Sequence, residues 1–252
     1  MSLARIPLTF LVCCAFKKCL TPPNPPAARS ERLKTNFMES EWHTQWSTFY
    51  ATVCLPTLTL TEADNTQRLQ WVVGIVEIAT IIAWNFPSSD ISQVILSLLV
   101  MQGSKPEALH LTPVIVLGGI MIIIGSLIRF ITYRYLGEFF RFEASIQRNH
   151  KLVTGGPYSI VRHPGYTGLL ISHSGWFLWQ LSEGSWIRES GLLDTVQGKF
   201  VVLSYTVSVI LGGLYLVLMR MSNEDEALRK HFGKQWDDWA KRVPYYVVPG
   251  IY

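Results

Sequence analysis

The densest set of reactive side chains lies between residues 150 and 166, in the order His150-Lys151-Leu152-Val153-Thr154-Gly155-Gly156-Pro157-Tyr158-Ser159-Ile160-Val161-Arg162-His163-Pro164-Gly165-Tyr166. Gly155-Gly156-Pro157 is a turn signal, because glycine tolerates positive φ and proline presets the following backbone angle. Pro164 biases His163 away from helix and suits the first turn of a helix that begins there. The sequence therefore describes a tight polar loop feeding directly into an apolar helix, whose N-terminal amides and dipole favour an anionic group. Taken singly, each residue has an ordinary reading. His150 and Arg162 can be interfacial charges, Tyr158 and Tyr166 members of an aromatic belt, and His163 a helix-start residue. Two histidines and two tyrosines crowded into so short a loop are harder to explain as anchoring alone.

A second set begins at Arg220-Met221-Ser222-Asn223-Glu224-Asp225-Glu226 and runs through His231-Phe232-Gly233 to Val243-Pro244-Tyr245-Tyr246. On a continuous helix Arg220 and Glu224 share a face at i, i+4. A surface ion pair is the plain reading, and the order weakens it, since acid before base is the better arrangement on a helix. Phe232, Trp236 and Trp239 recur at spacings of four and three, which predicts an amphipathic helix lying on a bilayer or packing over a site.

The elements that must position these groups are largely apolar. Hydrophobic residues make up 49% of the 252 and charged residues 16%, against a usual charged share of about 25%, which disfavours a disordered chain, a coiled coil or an ordinary water-soluble surface. Residues 111–131 and 200–219 read as membrane spans, the first with one charge, Arg129, near its end. Residues 69–86, with Glu77 inside, and 165–181, with His173, read as further spans. Residues 91–101 are too short to cross upright and 46–60 contain Pro56, so each is a short span, a re-entrant piece or an interfacial helix. The expectation is an all-α, multi-pass integral membrane protein with about five to seven spans. Lys and Arg gather between 134 and 162 and after 220, while 182–199 is richer in acids. The positive-inside rule places the first two segments in the cytosol and the third on the other side.

Residues 1–45 read as a weak anchor or disordered leader followed by a proline-bearing linker, and residues 46–252 as the membrane domain. The four cysteines, Cys13, Cys14, Cys19 and Cys54, form no C-x-x-C pair, so neither a disulfide framework nor a structural metal is expected. A net charge of +4 scattered among apolar stretches makes a lipid bilayer a better partner than nucleic acid.

The two polar blocks together resemble those of the isoprenylcysteine carboxyl methyltransferase family, membrane enzymes that methyl-esterify the C-terminal prenylated cysteine of CaaX-processed proteins. The first matches H-x-L-V-T-x-G-x-Y-x-x-x-R-H-P-x-Y-x-G from His150 to Gly168. The second matches R-x-x-x-E, an acidic run, F-G and R-V-P from Arg220 to Pro244. Membrane phospholipid methyltransferases share the R-H-P-x-Y-x-G core. The resemblance implies that His150, Lys151, Leu152, Val153, Tyr158, His163, Pro164, Gly165, Tyr166 and Glu224 hold S-adenosyl-L-methionine and that Arg220 faces the substrate carboxylate. It also implies a cytosolic cofactor site within residues 132–252, prenylated protein C-termini or prenylcysteine as substrate, no metal, and residence in the endoplasmic reticulum. A glutamine common in the family seven residues before His150 is replaced by Glu143, which is carried as a cofactor candidate by position alone. No G-x-G-x-x-G follows a predicted strand, so a soluble Rossmann-type methyltransferase is not expected.

The chemistry is compatible. An α-carboxylate, with a reference pKa of about 3.3–3.7, is ionised at neutral pH and needs no general base to attack a sulfonium methyl. The protein's task reduces to positioning and electrostatics. A membrane enzyme that methylates a lipid amine and a non-enzymatic membrane scaffold are the competing readings.

Overall fold

The structure, a computed structural model, describes residues 3–25, 62–101, 104, 106–141 and 145–251. Glu143, the 46–60 segment and most of the proline-bearing linker lie outside the described residues. Among the described residues the protein is all-helical, with no β-strand.

Helices α1 (Arg5–Leu20), α2 (Glu62–Asn85) and α3 (Asp90–Leu99) precede α4 (Pro113–Leu136) and α5 (Pro164–Leu181). Helix α6 (Val196–Tyr215) continues through a π-helical turn, Leu216–Arg220, into α7 (Met221–Phe232), and α8 (Lys234–Arg242) comes last. Among the described residues, two continuous helical stretches are long and apolar enough to cross a membrane, Pro113–Phe139 and Val196–Phe232. They correspond to the spans read at 111–131 and 200–219. Helix α3, with 10 residues, reaches only about 15 Å at 1.5 Å per residue and is too short to cross.

Packing of α4 against α5 forms the frame of the molecule. Thr112 caps α4 by accepting from the Ile115 amide at 3.2 Å, and Pro113 takes the first position, where its missing N–H costs nothing. The two helices approach so closely that a Cβ on Gly118 would lie 2.7 Å from the Gly175 carbonyl, and one on Gly168 2.5 Å from the Gly125 carbonyl. Small residues at such crossings let backbones touch, which is how helices associate where lipid offers no hydrophobic driving force.

Helix α1 packs into this frame. Val12, Phe16 and Leu20 join Ile115, Ile122, Trp176, Trp179 and Tyr205 in one buried apolar cluster. A helix flanked by a basic doublet and a proline cluster looks peripheral in sequence, but its apolar residues at 12, 16 and 20 make a stripe that α4 and α5 cover. At its first turn Arg5 is fully buried and forks onto Glu77 of α2 at 2.8 and 3.1 Å, while Thr9 donates to the same carboxylate at 2.7 Å. Arg5 also donates to the carbonyls of His110 and Gly184, tying together the ends of α4 and α5 remote from the polar loop.

Candidate functional site

At the opposite end of α4 and α5, the loop 150–163 and the helices α7 and α8 close around a cavity. The loop is shaped locally. Asn149, at φ 61, occupies the left-handed region that asparagine tolerates better than most residues. It precedes His150, whose ring stacks on Phe139 at 4.9 Å with planes 10° apart. The turn foreseen at Gly155-Gly156-Pro157 is present as a 3-10 helix, Gly156–Ser159, with Gly156 at φ +60 packed against Tyr135. His163 stands just before α5 in a non-helical conformation, φ −124 and ψ 60, and Pro164 is the first helical residue.

The C-terminal segment is stitched to this loop. The amides of Arg162 and His163 donate to the carbonyls of Tyr245 and Tyr246 at 2.9 and 2.8 Å. Arg162 bonds Asp225 at 2.6 Å and lies over the Tyr246 ring at 3.7 Å. His163 Nε2 is 3.1 Å from the other Asp225 oxygen. Trp239 Nε1 donates to the Tyr158 carbonyl at 3.0 Å, and Trp236, Trp239 and Val243 form a small core with Leu152 and Tyr158 packed on it. The aromatic spacing spans two helices, Phe232 ending α7 and Trp236 and Trp239 standing in α8 beyond the break at Gly233, and these rings pack with Leu152 and Tyr158 of the loop.

The cavity wall contains His150, Lys151, Leu152, Val153, Tyr158, His163, Gly165, Tyr166, Arg220 and Glu224. Pro164 is buried behind it. The loop block and the C-terminal block, separate in sequence, are thus brought to one place. Tyr166 OH donates to Glu224 Oε2 at 2.8 Å, and the Arg220 guanidinium lies 5.7 Å from the Tyr166 ring centre. The π-helical turn ends on Arg220. Such a turn adds a residue to the helical repeat and re-aims the side chains beyond it, a feature frequent at functional sites. Burial, reinforced by the neighbouring His231 and opposed by Glu224, holds the His150 imidazole below its ordinary pKa. Loss of solvent around Tyr158, with the Glu224 charge adding to it, pushes that phenol well above 10. Both groups are neutral near pH 7.

Three residues here escaped the sequence reading of the site. Asp225 holds both Arg162 and His163, yet in sequence it is only the middle of the acidic run Glu224-Asp225-Glu226. Phe139 was hidden in an aromatic pair following the span. Arg129 reads as a charge tolerated near a span end, whereas it is 3% exposed and part of the cavity wall. A lone arginine within an otherwise apolar segment was the available signal.

The donor set fits S-adenosyl-L-methionine. Among the described residues His150 Nδ1 is buried without a hydrogen-bond partner, the His150–Phe139 stack offers a flat surface, Leu152 and Val153 are apolar, and Glu224 supplies a carboxylate. Among the described residues no cluster of ligands for a metal is found.

Residues 113–187 match the phospholipid methyltransferase family. The chain is similar to protein-S-isoprenylcysteine O-methyltransferase B of Arabidopsis thaliana, 31% identical over 126 residues, covering 49% of this chain and 54% of that protein. A protein-S-isoprenylcysteine O-methyltransferase of Dictyostelium discoideum is 28% identical over 140 residues, 54% of this chain and 49% of that one. A Delta(14)-sterol reductase of Mus musculus is 28% identical over 102 residues, but these cover only 20% of that protein. The chain spans about half the length of the isoprenylcysteine methyltransferases it matches.

Proposed function

We propose, from the resemblance to isoprenylcysteine methyltransferases over half the chain, that this membrane protein uses S-adenosyl-L-methionine to methyl-esterify the C-terminal carboxylate of prenylated cysteine. The observation that carries the reading is the convergence of Arg220 and Glu224 with His150, Tyr158 and Tyr166 on one cavity at the end of two apolar helical stretches.

When bound, S-adenosyl-L-methionine supplies an electrophilic sulfonium methyl. The chain's own residues bind and orient. Glu224, fixed by Tyr166, accepts hydrogen bonds from the cofactor's hydroxyl or ammonium groups, and His150 Nδ1 offers a polar contact beside the stacked rings. Lys151, Leu152, Val153, Tyr158, Gly165 and Pro164 shape the enclosure, and His163 supports it through Asp225. Arg220 meets the acceptor carboxylate with a planar fork, placed where a prenyl tail lies in lipid while the carboxylate stays at the interface. No proton moves, because the acceptor is already ionised. Glu143 is proposed to approach the cofactor on its sequence position alone.

The remaining features of this reading are five to seven spans, a cytosolic site, residence in the endoplasmic reticulum and a catalytic portion at 132–252. The distribution of Lys and Arg supports the orientation. The test is transfer of labelled methyl from S-adenosyl-L-methionine to a small prenylcysteine by the full-length protein in detergent or nanodiscs. Base-labile incorporation, the mark of a methyl ester, is expected. Its absence, with an intact folded protein, overturns the proposal.

A further inference from the structure

Helix α3 follows α2 after the short link 86–89, and its 10 residues present three faces. At about 100° per residue, Ile91, Val94 and Leu98 fall within about 60° of the circumference, and Asp90, Gln93 and Ser97 within about 60° beside them. All six are exposed, the three aliphatic side chains at 72, 57 and 72%. Ser92 is buried and Ile95, Leu96 and Leu99 are half-buried, so the remaining arc is the one packed on protein.

Such a helix suits neither bulk water nor hydrocarbon. In water the aliphatic row, with Phe86 exposed just before it, would be a standing apolar patch. Inside a bilayer Asp90, Gln93 and Ser97 would lose their water along the whole length of the helix. At the boundary each face meets what it needs. The position of α3 in the fold agrees. The Met101 amide donates to the Ser190 carbonyl at 2.8 Å and Trp186 Nε1 to the Leu99 carbonyl at 3.2 Å, which ties the end of α3 to the loop 182–199. A half-buried Trp with its N–H satisfied is a side chain that favours the headgroup level. Arg5 joins the same loop to the start of α4 through the Gly184 and His110 carbonyls, so α3 sits at the end of the frame remote from the cavity. Where that loop ends, Val196 and Phe200 begin the exposed apolar surface of α6. Helix α4 has 24 residues and is about 36 Å long, against a hydrocarbon core of about 30 Å. Seating α3 at one boundary therefore puts the cavity at the other.

We propose that α3 is a bilayer-surface helix in the leaflet remote from the cavity. Ile91, Val94 and Leu98 dip to the upper acyl chains, while Asp90, Gln93 and Ser97 face water. This seat holds the frame at the depth where the cavity meets the opposite headgroup region. The partner is the lipid surface itself, and the inference is independent of which group the protein methylates.

The experiment uses the full-length protein in phosphatidylcholine nanodiscs, with a genetically encoded environment-sensitive fluorophore replacing Val94 or Leu98 and, for comparison, Gln93 or Ser97. Quenching is read from iodide in the water and from lipids carrying a nitroxide near the top or near the end of the acyl chain. At 94 and 98 the emission is expected to be blue-shifted, quenched most by the shallow nitroxide and little by iodide. The order should reverse at 93 and 97. Equal iodide quenching on both faces overturns the proposal, since α3 then stands in water. Strongest quenching by the deep nitroxide on both faces overturns it too, since α3 is then an embedded piece. Protection of 94 and 98 from iodide and from both nitroxides means that protein, such as a second copy, covers the face, and this also overturns it. A second measurement needs no variant. A lipid with a diazirine near the top of its acyl chain should label Ile91, Val94 or Leu98 of the unaltered protein, and no adduct on α3 while α6 is labelled overturns the proposal. Neither measurement uses cofactor or acceptor, so failure here leaves the methyl-transfer reading to its own test.

Discussion

Tyr166 and Glu224, 58 residues apart, are joined by a hydrogen bond of 2.8 Å across the cavity. Tyr166 is in the first turn of α5 and Glu224 in the first turn of α7, so this bond links the polar loop's helix to the continuation of α6. Removing either partner should therefore act on the same property. Tyr166→Phe and Glu224→Gln are each expected to weaken S-adenosyl-L-methionine binding by about tenfold, the double variant by less than the product. Titration of purified variants checks this, and full additivity would show that the bond does not organise the cofactor end.

Arg220→Lys should lower use of a prenylcysteine acceptor by at least about tenfold while cofactor binding is largely kept, because a point charge replaces a bidentate fork. Steady-state kinetics with both substrates, beside a direct cofactor titration, distinguish the roles. An equal loss of cofactor affinity would reassign Arg220.

Asp225→Ala removes the shared partner of Arg162 and His163, which lie 2.6 and 3.1 Å away in a largely buried setting. Breaking such a pair from one side costs about 3–5 kcal/mol. Thermal unfolding should shift down markedly, and the C-terminal segment should become more susceptible to proteolysis. His163→Ala should show a weaker version of the same effect together with reduced cofactor affinity. Wild-type affinity in that variant would confine His163 to structure.

The His150 pKa is lowered in the folded protein, chiefly by burial. The unfolded chain therefore takes up this proton first as pH falls. The stability contributed by neutral His150 is complete above the ordinary histidine pKa of about 6.5 and is lost as pH drops below it toward the folded value. Thermal midpoints of wild type and His150→Gln, measured from pH 8 to 5, should differ in slope only in the acid half, with the variant less sensitive. Parallel curves would contradict a buried, neutral His150.

The side of the membrane is testable by acceptor insertion. A glycosylation sequence placed after Asp194 should be modified and one placed beside Lys234 should not, if the basic loop and tail face the cytosol. The reverse pattern would put the site in the wrong compartment for prenylated proteins.

Much of the site was legible because its signals are local. Gly155-Gly156-Pro157 specifies a turn and Pro164 a helix start whatever surrounds them, and both stand where the backbone chemistry of these residues placed them. Apolar runs at 111–131 and 200–219 read as spans because their composition exceeds what a water-exposed helix tolerates, and both are long helices. The i, i+4 spacing of Arg220 and Glu224 pointed to one face, and both residues line the cavity. Other features were not local. The stripe Val12, Phe16, Leu20 is too short and too closely followed by lysines and prolines to announce a core helix, and its role emerges only when α4 and α5 cover it. Asp225 could not be told from its acidic neighbours, since adjacent helix positions differ in direction and only packing decides which one turns inward.

What the sequence by itself determined, then, was the set of local conformations and the chemical content of two blocks, because turn chemistry, helix starts and hydropathy act within a few residues. Only the tertiary structure decided which charges share a space. Arg129 could have snorkelled to an interface, as a charge near a span end commonly does. The close glycine contact of α4 with α5, and the Cys19 and Gly165 carbonyls presented by α1 and α5, instead hold it at the cavity wall. Its position is a property of three helices meeting, which no spacing within any one of them encodes.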